Sequence, residues 1–273
     1  METTKLAITK KDIIDEDCWK ELRDFTDARI ALGHTGASLP TKEMQKFSLA
    51  HARARDSVHM PFDRDKIKQQ IETIGYKTVY VNSKAPNRGT YLTRPDLGRL
   101  LSDDSKQKLM QLDEQDNDIT FVIADGLSSK AVHKQAVPLI RCLLPYLKQL
   151  KFSIAPVVLA EQSRVALGDE IGHLMHSRFV AMLIGERPGL TSPDSLSVYL
   201  TYRPYGGRLE SERNCISNIR PEGLSYEKAA FKFAWLLEHA LVKECTGIGL
   251  KDKSDDPQTY MLIRPKKDKK QLV

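Results

Sequence analysis

The stretch RFVAMLIGERPGL, residues 178–190, decides the fold. Residues 179–184, FVAMLI, form an apolar block with no polar break. A block of that length predicts a strand buried on both faces, as in a parallel sheet. It ends in Gly185, Glu186, Arg187, Pro188 and Gly189, which stop the strand and force a turn. A carboxylate and a guanidinium therefore follow the carboxyl end of a central strand, where ligands bind in open α/β sheets. Taken alone, these residues read first as an ordinary strand-to-loop turn with a solvated Glu–Arg pair.

Working outward, the chain alternates strand and helix patterns. Strands are expected over 77–82, 119–125, 152–160 (broken at Pro156), 196–202 and 215–219. Helices are expected over 41–60, 129–144, 168–176 and 225–244, the last amphipathic and stopped by Gly247. The spacing of Trp19, Leu22 and Phe25 predicts a further short amphipathic helix over 15–28. Alternation of this kind gives an α/β fold with a mostly parallel sheet flanked by helices. Residues 1–105 read as a mainly helical N-terminal region and 106–273 as the α/β domain.

Composition narrows the function classes. With 273 residues, 41% of them hydrophobic, the chain can bury a sizeable core. The net charge is +6, and the run Lys266, Lys267, Asp268, Lys269, Lys270 holds much of it, so the body is only mildly basic. No aromatic residue interleaves with that tail, so it offers no platform for stacked bases, and nucleic acid is not the expected partner. Cys18, Cys142, Cys215 and Cys245 are scattered, with neither metal-ligand spacing nor a disulfide framework, as in a reduced, cytoplasmic protein. The N-terminus has no apolar signal region, and no apolar run reaches the ~20 residues of a membrane span.

Common α/β signatures are missing. There is no G-x-G-x-x-G, no G-x-x-x-x-G-K-[ST] and no G-x-S-x-G. His173 and His176 are two possible ligands without a third. Three strand ends do carry polar groups: 125–128, Glu186 with Arg187, and 215–218. If the sheet is parallel, these ends converge on one crevice. These features describe a ligand-binding α/β domain, including the alternative of a non-catalytic module for some nucleotide-bearing ligand.

Several stretches together resemble the light chain, or small subunit, of ethanolamine ammonia-lyase. They are ARIALGHTGASLPT, HARARDSVH, YLTRPDLGRLL, VIADGLSS, GDEIG, LIGERPGL, SLSVY and NCISNIRPEGLSYEKAA, in family order over about residues 28–250. The resemblance implies a Rossmann-like sheet and a partner, a heavy chain whose (β/α)₈ barrel performs the radical chemistry. It also implies adenosylcobalamin at the interface of the two chains, in a carbon–nitrogen lyase converting ethanolamine to acetaldehyde and ammonia. Carried over by motif, the cobalamin contacts are Val165, Glu186 and Cys215, with no catalytic residue in this chain. The sequence lacks D-x-H-x-x-G, in keeping with a cobalamin that keeps its own benzimidazole ligand. The Arg-rich stretches 28–60 and 88–101 are the expected heavy-chain contacts. The expected location is the cytoplasm or a bacterial microcompartment, for which an amphipathic helix over 15–28 is a possible packaging signal.

Overall fold

The computed structural model describes residues 14–112 and 117–256, so the basic tail lies outside the described residues. Contacts divide the chain into two compact units. One runs up to Asp56 and includes Gly189–Pro193; the other comprises Ser57–Pro188 and the chain from Asp194 on.

In the first unit the helix expected over 15–28 does not form. Only Lys20–Asp24 turns, as a 3₁₀ helix without a buried residue. The backbone of Asp15 is instead paired with His34 in both directions (2.9 and 3.0 Å), and Asp17 Oδ1 accepts from Trp19 N at 2.9 Å. These bonds compete with helical ones. Trp19 and Phe25 stay exposed, so no apolar face is buried to offset the cost of ordering. Gly33 adopts φ +73°, and a Cβ there would lie 2.7 Å from Asp15 O. Helix α1, Thr41–His59, begins as read, yet only Ala50 and Ser57 of its residues are buried.

The second unit is built on six strands: β1 (Thr78–Asn82), β2 (Ile119–Ala124), β3 (Val157–Glu161), β4 (Phe179–Gly185), β5 (Leu196–Tyr202) and β6 (Asn214–Ile219). Their order in the sheet is β1-β3-β2-β4-β5-β6. The first four are mutually parallel, while β5 runs antiparallel to β4, and β6 antiparallel to β5. The sheet is thus parallel through its centre and mixed at one side. Every residue of β2 and β4 is buried, as an unbroken apolar run requires.

Helices cover both faces. On one side α2 (Arg64–Thr73), α5 (Ser129–Gln149) and α7 (Tyr226–Lys243) enclose a large apolar layer around Phe121, Phe179 and Phe233. On the other, α4 (Asp103–Met110) and α6 (Leu167–Leu174) enclose a smaller one around Val158, Val180 and Met182. The short helix α3, Arg88–Thr93, follows β1. Helix α5 runs past Leu144 despite Pro138 and Pro145. The carbonyls those prolines leave unbonded belong to Lys134 and Arg141, both exposed, where water can take over. Helix α7 ends at Glu244, itself left-handed at φ 51°, rather than at Gly247.

Candidate functional site

Register places the loops. Ala124 pairs with Ile184, Gly185 with Leu196, and Leu196 with Ile219. The carboxyl ends of β2, β4 and β6 and the start of β5 therefore meet at one rim. Of the expected ends, 125–128 and Glu186 converge and 215–218 does so only at Asn218, which reaches the rim although β5 is reversed because β6 reverses again.

Two glycines let the rim close. Gly126 takes φ +55°, and a Cβ on it would lie 2.4 Å from Gly185 O. A Cβ on Gly185 would lie 2.1 Å from Ser128 O and 2.7 Å from Asp125 O. Leu127 N donates to Gly185 O at 3.0 Å, so the β2 and β4 loops are bonded where they touch.

Glu186 stands directly past this contact, half-buried. Its Oε1 accepts from Ser197 Oγ at 2.5 Å and from Asn218 N at 2.8 Å, and its Oε2 accepts from Ser195 Oγ. Asn218 reaches it from a left-handed backbone, φ 56°, a conformation Asn tolerates well. A carboxylate offers about four acceptor positions. Three are filled by donors among the described residues, so Glu186 is a braced group with limited acceptor capacity to spare.

Cys215 is not at the rim, because it is the second residue of β6, near that strand's amino end. It pairs with Tyr199, which pairs with Met182 in mid-sheet, so it sits three residues, roughly 10 Å, below Asn218. It shares a face with Glu186 all the same. Ser197 and Tyr199 project from the same side of β5. Ser197 donates to Glu186, and Tyr199 pairs in register with Cys215, so both hydroxyl-bearing residues lie beside the thiol. Burial against these groups pushes the thiol up, and the two hydroxyls draw it only part of the way back, so it is neutral at pH 7. A neutral thiol packs or donates weakly and is not a nucleophile. Burial is also the main cause that raises the Tyr199 hydroxyl.

Val165 lies in the turn before α6, where Gly168 N donates to its carbonyl at 3.0 Å. Its side chain packs, partly buried, against the apolar layer that contains Met182 and Ile184 and is also met by Tyr199. Val165, Glu186, Tyr199 and Cys215 therefore occupy one side of the sheet. On that side β6 is exposed at Cys215 and Ser217, whereas Ile216 and Ile219 are buried against the other layer.

Next to this face the rim is locked by Asp125, only 1% exposed. It accepts from Gly126 N (2.9 Å), Ser163 N (3.0 Å), Gln162 N (3.0 Å) and Arg88 Nη1 (3.2 Å). Burial raises its carboxyl to about 6 against the pull of these donors. The Tyr91 ring has Arg88 at 4.8 Å and Arg164 at 4.3 Å. Sequence reading found Asp125 but not Arg88 or Tyr91, whose partners are distant in the chain. It also passed over Ser197 and Tyr199, although the alternation in LSVYLTY places both on one face. Within GDEIG, Asp169 makes a buried pair with Arg213, tying α6 to the start of β6.

Elsewhere, a cavity of about 480 Å³ at the opposite end of the sheet is lined by His173, His176, Arg178 and Arg203. Among the described residues no group of three or more His, Cys, Asp or Glu could hold a metal ion. No described helix is long and apolar enough to cross a membrane.

Comparison with known proteins adds a family. The family model described as "Ethanolamine ammonia-lyase light chain" matches residues 16–251. A Pseudomonas fluorescens protein named ethanolamine ammonia-lyase small subunit is 47% identical over 248 residues, covering 90% of this chain and 90% of its own. One from Rhodopseudomonas palustris is 48% identical over 235 residues, covering 86% and 90%. One from Azotobacter vinelandii is 46% identical over 243 residues, covering 88% and 90%.

Proposed function

This chain belongs to the ethanolamine ammonia-lyase light-chain family, and we propose that it completes an adenosylcobalamin site at its interface with the heavy chain, or large subunit, of that enzyme. The observation that carries this reading is the bonding of Glu186, just past β4, to the partly exposed face of β5 and β6 that bears Ser197, Tyr199 and Cys215.

The face fits a corrinoid in shape and chemistry. A corrin is a broad, largely apolar macrocycle fringed by amide groups. Val165 and the Tyr199 ring supply apolar surface at the border of the face. Glu186 has an acceptor position to offer an amide N–H, and its three internal donors keep it oriented for that contact. Cys215 and Ser217 leave the surface beside them low and uncharged. When bound, adenosylcobalamin supplies an adenosyl radical by homolysis of its cobalt–carbon bond. Among the described residues the face presents no nucleophile–base pair, and the part we assign to this chain in converting ethanolamine to acetaldehyde and ammonia is to hold the cofactor. The heavy chain's barrel would process the substrate. Helices on both faces of the sheet agree with the Rossmann-like architecture of this reading.

Heavy-chain contact is proposed for residues 1–105. Within the unit up to Asp56, Trp19, Phe25, Met44, Phe47 and Leu49 are exposed. These exposed side chains support that contact. The location we propose is the cytoplasm, free or within a bacterial microcompartment, which co-fractionation with shell proteins tests.

The test is the visible absorption of adenosylcobalamin retained after gel filtration. The chain co-expressed with its heavy chain is expected to retain it, and each chain alone to retain much less. A complex that elutes colourless overturns the reading.

A further inference from the structure

We propose that Tyr199 is a further cofactor-contacting residue, its ring forming the floor on which the corrin lies between Glu186 and Cys215. This deepens the reading above and rests on it. No other described side chain stands in the same relation to all three expected contacts. Tyr199 pairs in register with Cys215 across β5 and β6. It packs on the apolar layer that Val165 also borders. It lies two residues from Ser197, which holds Glu186.

Its environment divides the side chain into parts. The ring rests against the buried layer on one side, and the residue is still partly exposed on the other. Its place on β5 opposite Cys215 and its packing on the buried layer hold the ring there. A rigid aromatic surface held at the edge of an open face loses little conformational entropy when a flat ligand covers it. Neighbouring positions on that face, Ser197, Cys215 and Ser217, are all small, so a broad ligand can come down onto the ring without a clash. The hydroxyl can accept from an amide at the corrin edge, but the contact area belongs to the ring.

The co-expressed two-chain complex, titrated with adenosylcobalamin and followed by visible absorption, separates the contributions. Tyr199→Phe keeps the ring and is expected to bind within about threefold of wild type. Tyr199→Leu keeps apolar packing against the buried layer but is not flat, and is expected to bind at least tenfold more weakly. Only material eluting as the assembled complex is titrated, so loss of folding is not scored as loss of affinity. Wild-type affinity in Tyr199→Leu, or an equal fall in both variants, overturns this inference and leaves the cofactor reading standing. Failure of the wild-type complex to bind at all overturns the cofactor reading itself.

Discussion

The Ser197 hydroxyl donates to Glu186 Oε1 at 2.5 Å, and two residues further along the same face of β5 Tyr199 pairs with Cys215, so β5 links two expected cofactor contacts. Glu186→Gln preserves the shape of that carboxyl but gives up acceptor capacity to the hydroxyls and to Asn218 N. Glu186→Gln is expected to weaken adenosylcobalamin retention by the assembled complex about tenfold. It is also expected to lower stability by ~1–3 kcal/mol, because one donor is left unpaired. Ser197→Ala removes only the link and should show the smaller effect on both. Absorption titration and urea unfolding of each variant measure the two quantities.

Gly185 is expected to be intolerant of any side chain. An added Cβ would meet backbone atoms of Ser128 and Asp125 at 2.1 and 2.7 Å, and neither can move without opening the rim. Gly185→Ala should cost about 3 kcal/mol or more, at the upper end of overpacking. Gly206→Ala, with nothing within 4 Å of the new methyl, should be close to neutral. Urea midpoints compare the pair.

Asp125 gives the protein a signature in pH. Its folded value of about 6 lies above the unfolded value near 3.9, so the folded state holds its proton more tightly. The contribution is full below pH ~4 and is lost as pH rises through about 6, a fall of ~2–3 kcal/mol. Asp125→Asn cannot titrate there and also removes the charge facing Arg88. The stability gap between wild type and Asp125→Asn should therefore narrow as pH rises from 4 to 7. A gap that widens over that window contradicts the assignment. Guanidinium unfolding at four or five pH values suffices.

Docking onto the heavy chain should depend on the exposed apolar residues of the first unit. Phe47 is 48% exposed and Phe25 is 86% exposed. Phe47→Asp is expected to weaken co-purification at least tenfold, about 1.4 kcal/mol, without lowering the chain's own melting temperature. Arg94 and Arg99 already face Asp96 and Glu210 within the chain, so charge reversal there should weaken assembly less. Pull-down with a tagged heavy chain ranks the variants.

Much of the sheet was legible because buried strands announce themselves. FVAMLI becomes β4 with every residue buried. The reversal of β5 was legible too, and was missed. The connection from Gly185 to Leu196 is ten residues without a helical pattern, too short for the crossover that a parallel neighbour needs. The helix expected over 15–28 failed for a different reason. Its apolar spacing was real, but the backbone of Asp15 is taken by His34, a pairing that no local pattern reveals. At the site, motif resemblance named Val165, Glu186 and Cys215, and simple alternation along β5 could have added Ser197 and Tyr199. The Arg88–Asp125 clasp spans 37 positions, and only the fold brings it together.

The most direct test is a structure of the co-expressed light and heavy chains with adenosylcobalamin bound. The corrin should lie against the side of β5 and β6 that carries Glu186, Tyr199 and Cys215, within van der Waals contact of Tyr199 and Cys215. A corrin held wholly by the heavy chain, or seated on the α5–α7 side of this sheet, would contradict the account.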